Sequence, residues 1–237
     1  MRPRTLVFIA CSPQPRAGVS TTARLLTDYF LSRGQAVGGF DADPRDPRYF
    51  GWFPDMVSVV DAADIKGQIA LFDRLLENDG VPKVVDVWSR SYDQFFATIR
   101  EIGFIEEARR NGVEPIVLFH ASSAQRTLSK ALDLRAQWRD LWMFAVHNEG
   151  AAPLGAYARE ILPRYPVRGK FVIAPLEGPV ARALDDPDLS LSRFLLAPPA
   201  DMSIVVRAAL KAWITPVFTQ FQSFELRLAL ESSSVLR

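Results

Sequence analysis

The stretch that most constrains this chain runs from Ser12 to Thr22: Ser12-Pro13-Gln14-Pro15-Arg16-Ala17-Gly18-Val19-Ser20-Thr21-Thr22. It follows an apolar run, Thr5 to Cys11, that reads as a buried strand, and it precedes Ala23 to Leu31, which reads as an amphipathic helix. Strand, tight loop and helix in that order point free backbone N–H groups and the positive end of a helix dipole at an anion. In loops of the GxxxxGK[ST] pattern, glycines let the backbone wrap phosphates, a lysine reaches the terminal ones, and the Ser/Thr hydroxyl holds magnesium. Here Ser20 and Thr21 stand where the last glycine and the lysine belong. The shape of an anion site is present; its main positive charge is not.

Downstream, helical and strand patterns alternate without an evident repeat. Gly34 stops the first helix, and Gln35 to Phe40 reads as a strand ending in Asp41-Ala42-Asp43-Pro44. Arg45 to Pro54, rich in proline, arginine and aromatics, reads as an ordered loop, Met56 to Val60 as a short strand and Ile65 to Glu77 as a helix. Lys83 to Val87 is a strand ending beside an acid, Asp86, and one long helical region spans Tyr92 to Asn111. Further strands are expected at Pro115 to Phe119, Trp142 to His147 and Lys170 to Ile173. Helices are expected at Ser123 to Arg135, Leu154 to Leu162 and Pro179 to Leu184. The tail from Met202 to Glu231 reads as one or two helices that Pro216 kinks or restarts.

Strands alternating with helices and lacking hairpin turns imply an α/β fold: a doubly wound, mainly parallel sheet with helices on both faces. In such sheets ligands bind beyond the carboxyl ends of the strands. The Ser12–Thr22 loop, the Asp41/Asp43 pair and Asp86 all fall there. The division expected is an α/β domain over 1–200 with a helical extension, 201–237, packed on the same domain.

Composition narrows the function classes. Of 237 residues 49% are hydrophobic, enough for one substantial core, and 28 Lys+Arg nearly balance 27 Asp+Glu. No overall field draws the chain onto nucleic acid or an anionic membrane. A single cysteine, Cys11, excludes an internal disulfide and fits a reducing compartment, and no segment reaches the ~20 apolar residues of a span. The expected location is the cytoplasm. His120 and His147 read as ordinary strand-end residues, and Ser123 and Ser129 have no His/Asp partners for nucleophilic catalysis.

The motifs, in their order, resemble the ParA/MinD group of P-loop ATPases, whose phosphate loop reads KGGxGK[ST]. In Arg16-Ala17-Gly18-Val19-Ser20-Thr21-Thr22, Gly18, Val19 and Thr22 match, Arg16 replaces the first lysine, Ala17 and Ser20 replace glycines, and Thr21 replaces the phosphate-clasping lysine. Asp41-Ala42-Asp43-Pro44 resembles the DxDP motif, Val84-Val85-Asp86 the Walker B strand, Val146-His147-Asn148 the strand whose asparagine contacts adenine, and Ile173-Ala174-Pro175-Leu176 a segment bordering the base. The resemblance spans roughly residues 5 to 200. It implies a cofactor, ATP or ADP with magnesium, held at Arg16, Ala17, Gly18, Val19, Ser20, Thr21, Thr22, Asn148 and Pro175. Thr22, Asp41 and Asp86 would be the magnesium residues. If the protein is active, Asp41 orients the attacking water and Arg16 reaches across a dimer to neutralise phosphate charge.

Losing a cation hydrogen-bonded to phosphate costs on the order of 1.5–3 kcal/mol of binding, and phosphoryl transfer rests on positioning and charge. The reading is therefore a weak or non-hydrolysing member acting in positioning, partition or regulatory assembly. The alternatives are an active ATPase that uses Arg16 in a nucleotide-dependent dimer cycle, and a structural partner in a larger complex with no ligand. Ser20, Thr21 and Thr22 would also serve as a plain helix cap. A homodimer or protein partner is expected through the aromatic segment 49–53 or the C-terminal helix, unless the segment simply packs on the helix from Ile65. A membrane anchor is disfavoured because only Lys211 and Arg227 decorate the tail's polar face. Nonspecific DNA binding through Arg126, Lys130, Arg135 and Arg139 is not favoured, given the intervening acids.

Overall fold

The computed structural model describes residues 4–151, 158–176 and 178–234. The first strand, β1 (Thr5–Cys11), is apolar on both sides because it lies at the centre of a sheet covered on both faces. Val7, Ile9 and Cys11 point into one core, and Phe8 and Ala10 into the other. The remaining strands are β2 (Gly38–Asp41), β3 (Val57–Val59), β4 (Lys83–Val87), β5 (Val113–His120), β6 (Trp142–Asn148) and β7 (Gly169–Ile173). They form one seven-stranded sheet in the order β3-β2-β4-β1-β5-β6-β7, with every recorded pairing parallel.

From β1 the chain crosses outward through helix α1 (Val19–Ser32) to β2, and later returns to β4 before crossing the other way to β5. The reversal flanks β1, so the loop leaving Cys11 opens at the switch point of the sheet. One face carries α3 (Ile65–Leu75), α4 (Tyr92–Glu101), α5 (Phe104–Arg110) and α6 (Gln125–Gln137), packed over Val7, Ile9 and Cys11. The other carries α1, α2 (Arg48–Trp52), α8 (Gly178–Asp185), α9 (Leu191–Leu196) and α10 (Ile204–Ser234), over Phe8 and Ala10. A short α7 (Ala158–Ile161) runs into a 3₁₀ turn, Leu162–Arg164; the start of the helix expected from Leu154 lies outside the described residues.

The expected fold class is what the structure shows, with four local differences. The aromatic segment is not a loop: Pro47 opens α2, and its rings pack on the α1 side of the sheet, away from the helix at Ile65. The long helix expected over Tyr92–Asn111 is two, divided at Gly103, which adopts φ 63. The short α9 was not anticipated. Pro216 does not interrupt α10, because both it and Ala212 are exposed and the carbonyl that loses its N–H partner meets water.

Helix α10 also closes the β7 edge. Trp213 Nε1 donates to the Ala174 carbonyl (2.7 Å), and Arg227 Nη1 donates to that of Arg168 (2.9 Å). Between them the Gln220 amide both accepts from Val172 N (2.8 Å) and donates to Val172 O (2.9 Å). These three side chains recur at a seven-residue interval, two turns of helix, so one helix face satisfies an otherwise open strand edge.

Candidate phosphate-loop cavity

At the carboxyl end of β1 the loop turns twice through the left-handed region, at Arg16 (φ 57) and at Gly18 (φ 84). Glycine adopts that conformation freely; arginine does so under strain. Ala17, between them, is not in that region, so its methyl group costs the turn nothing in backbone terms. Gly18 is also needed for space: a Cβ there would stand 2.1 Å from Asn148 Nδ2. Gly18 caps α1 without a side-chain hydrogen bond, and no acid occupies the first turn. The amides at the helix start are thus free of side-chain acceptors, which suits an anion.

Under the loop lies His120, the last residue of β5. Its Nδ1 donates to the Ala17 carbonyl at 2.8 Å, since a carbonyl can only accept. Burial pushes the imidazole pKa down to about 4, so it is neutral near pH 7, with Nε2 buried and unpartnered. This histidine, expected as an ordinary strand-end residue, ends β5 and also holds the loop that follows β1. No motif could have revealed it, because the contact spans 103 residues of sequence.

A cavity of about 280 Å³ opens over the loop. Arg16, Ala17, Gly18, Val19, Ser20, Thr21 and Asp86 all line it, as do Asp43, Asp46, Arg48, Trp88 and Ser89. Asp86 is 4% exposed, and burial followed by the charge of Asp41 pushes its carboxyl up to about 7. The Ser20 hydroxyl, donating to it, and the charge of Arg48 act in the opposite direction.

Asp41 is paired in register with Asp86, yet it does not line the cavity. One of its oxygens accepts from Asp43 N (3.0 Å) and the other from Tyr49 N (2.9 Å) and Phe50 N (3.1 Å). Burial raises its pKa, with those three amides opposing. The carboxylate thus holds α2 onto the end of β2, beside Asp86 in the sheet rather than on the cavity wall. Asp43, two residues on, takes its place on the wall.

Three other expected residues stand apart from the cavity wall. Thr22 Oγ1 is buried without a partner, below the lining. Asn148 lays its amide against Gly18 while its Oδ1 accepts from Gly150 N and Ala151 N (3.2 and 3.1 Å). Pro175 packs against Gly150 in that same turn. Among the described residues no three His, Cys, Asp or Glu side chains form a metal cluster. The unpartnered Thr22 hydroxyl and the Asp86 carboxyl, with Asp41 beside it in the sheet, are the groups that would hold a magnesium ion together with phosphate oxygens, the way this ion is commonly bound.

No family model and no curated protein matches the chain. A nucleotide-binding protein from Archaeoglobus fulgidus, solved in complex with ADP, is similar in backbone with a TM-score of 0.48 and 14% identity. The alignment covers 76% of this chain and 85% of that one. No helix among the described residues is long and apolar enough to cross a membrane.

Proposed function

We propose that this chain is a ParA/MinD-like P-loop protein that binds ATP or ADP weakly, hydrolyses it slowly or not at all, and acts in positioning or regulatory protein assembly. The observation that carries the reading is the cavity at the sheet's switch point. A loop with left-handed turns, an uncapped helix start and a Walker-B-like acid converge there, with neutral Thr21 on the wall. Preorganised amides suffice to hold a phosphate chain, whereas transfer of the γ-phosphoryl group needs positive charge aimed at the transition state.

The test is calorimetric titration of the full chain with ATP and magnesium, followed by a steady-state phosphate-release assay. Binding without turnover is the expected result. Thr21→Lys, restoring the missing ammonium, should tighten ATP by about tenfold or more, the worth of one charged hydrogen bond. Turnover that is lost in Asp86→Asn would overturn the non-hydrolysing reading. It would favour instead an ATPase relying on Arg16, whose exposed side chain and strained φ of 57 at the cavity rim are the features that support that alternative.

A further inference from the structure

We propose that Arg48 is the cation this protein uses in place of the missing lysine: its guanidinium takes the phosphate chain of the nucleotide in the cavity over Thr21. The inference rests on the nucleotide-binding reading above and names the residue that would make such binding selective for phosphate.

Arg48 lines the same cavity as Ser20 and Thr21, and its charge is felt by buried Asp86. Its backbone is fixed relative to the phosphate loop by two independent ties. Asp41 accepts from the next two amides, Tyr49 N and Phe50 N, and Tyr49 Oη shares a 2.6 Å hydrogen bond with Thr27 Oγ1 of α1. Helix α2 is therefore clamped both to the end of β2 and to the helix that the loop leads into. Asp41 thereby positions the segment that brings in Arg48.

The side chain itself is exposed and weakly held. Its recorded partners are Asp185, at 3.4 Å with both groups more than half exposed, and the Trp52 ring at 5.8 Å. Exposed pairs of that kind contribute little, so a phosphate can displace Asp185 readily. Arginine is suited to the exchange because its planar fork binds two phosphate oxygens at once. Arg16 also lines the cavity, but it stands exposed on a strained corner, with no equivalent clamp.

The experiment measures binding of ATP, inorganic tripolyphosphate and adenosine to the full chain by calorimetry, for wild type, Arg48→Ala, Arg48→Lys, Asp185→Asn and a control, Arg110→Ala. Arg110 is at the far end of α5 and pairs with Glu107. Arg48→Ala is expected to weaken ATP and tripolyphosphate together by about tenfold to a hundredfold, the range for a charged hydrogen bond. Adenosine binding and the thermal midpoint should stay unchanged. Arg48→Lys should fall between, and Asp185→Asn should bind phosphate at least as tightly as wild type, outcomes that a merely structural role would not produce. Should Arg48→Ala not fold, the lysine variant decides: wild-type affinity for ATP and tripolyphosphate there overturns the bidentate contact. Unchanged ATP affinity in a folded Arg48→Ala overturns the inference and leaves the nucleotide reading standing. A wild type that binds neither ATP nor tripolyphosphate overturns both.

Discussion

At the scale of single residues, the site is built from groups whose burial sets their charge. Asp86 is the clearest case. In an unfolded chain its carboxyl titrates near 4, whereas in the fold it is pushed up to about 7. Between those values the native state holds a proton that the unfolded state has released, so raising the pH across this window favours unfolding. Asp28, buried beside Arg24 and pushed up to about 6, acts in the same direction. The histidines oppose this over part of the window, because burial lowers their pKa values, that of His120 to about 4. The carboxyl shifts outweigh them, so stability is expected to fall as pH rises from about 4 to about 7 and to level off above. Asp86→Asn should flatten most of that slope and raise stability at pH 8 by a few kcal/mol, the linkage value of a shift of this size. Urea midpoints measured across pH 4 to 8 check it, and a wild-type slope retained in the variant would refute the assignment. How far the sequence revealed these residues is uneven. Gly18, Ser20 and Thr21 were readable because one local strand–loop–helix pattern holds them, and Asp86 because it lies at the end of a strand that a parallel sheet brings to the same edge. Arg48 and His120 were not, because their roles depend on α2 folding back to α1 and on β5 lying beside β1. Asp41 was readable as a strand-end acid, whereas its amide partners were not, because they come from a segment that reads as a loop.

At the scale of elements, periodicity carried further than punctuation. The strands with unbroken apolar runs were legible nearly to their ends, since a fully buried strand admits little else. The start of α2 after Pro47 was missed because its proline- and arginine-rich flank reads as a loop, and the division at Gly103 because apolar Ile102 and Phe104 adjoin it on either side. Helix α10 shows what such an apolar face is for. Trp213, Ile214, Val217, Phe221, Phe224 and Leu228 are each at most 9% exposed and pack over β6 and β7, with Phe144 against Phe224 at 4.6 Å and Phe171 against Phe221 at 5.3 Å between ring centres. Six such side chains, at about 1.5–3 kcal/mol each, account for about 9–18 kcal/mol of burial, comparable with the whole stability of a domain. Removing residues 201–237 would uncover that face and the β7 edge that Trp213, Gln220 and Arg227 close. A chain ending at Ala200 is expected to be insoluble on expression. A soluble monomer of that length with native circular dichroism would show that the helix belongs to an interface instead.

At the scale of the whole molecule, the balance of charge decides which polymers the surface can hold. The net charge is +1, and the basic residues of α6 that could form a nucleic-acid stripe are largely committed. Lys130 pairs with Asp93 at 2.8 Å. Arg135 donates to the carbonyls of Pro166 and Leu141, both at 3.0 Å, and to that of Arg139, which ties the end of α6 to the turns beside it. At the cavity mouth, Arg45 and Arg90 lie over the Trp88 ring at 5.6 and 5.3 Å, with Asp43 and Asp46 among their neighbours on the wall. Cations are thus interleaved with acids or turned onto protein groups at both places where they gather. Duplex binding without sequence preference draws its free energy from counterions released by several phosphate contacts at once, and a surface offering one or two gains almost none of it. The chain is therefore expected to bind random-sequence duplex more weakly than about 10⁻⁴ M at physiological salt, beyond the usual nonspecific range. Fluorescence anisotropy of a labelled duplex across a salt series checks this. A measurable affinity whose logarithm falls steeply with the logarithm of salt would mean that Lys130 and Arg135 leave their partners for phosphate, and that the pairs seen in the fold are resting positions of a DNA-binding face.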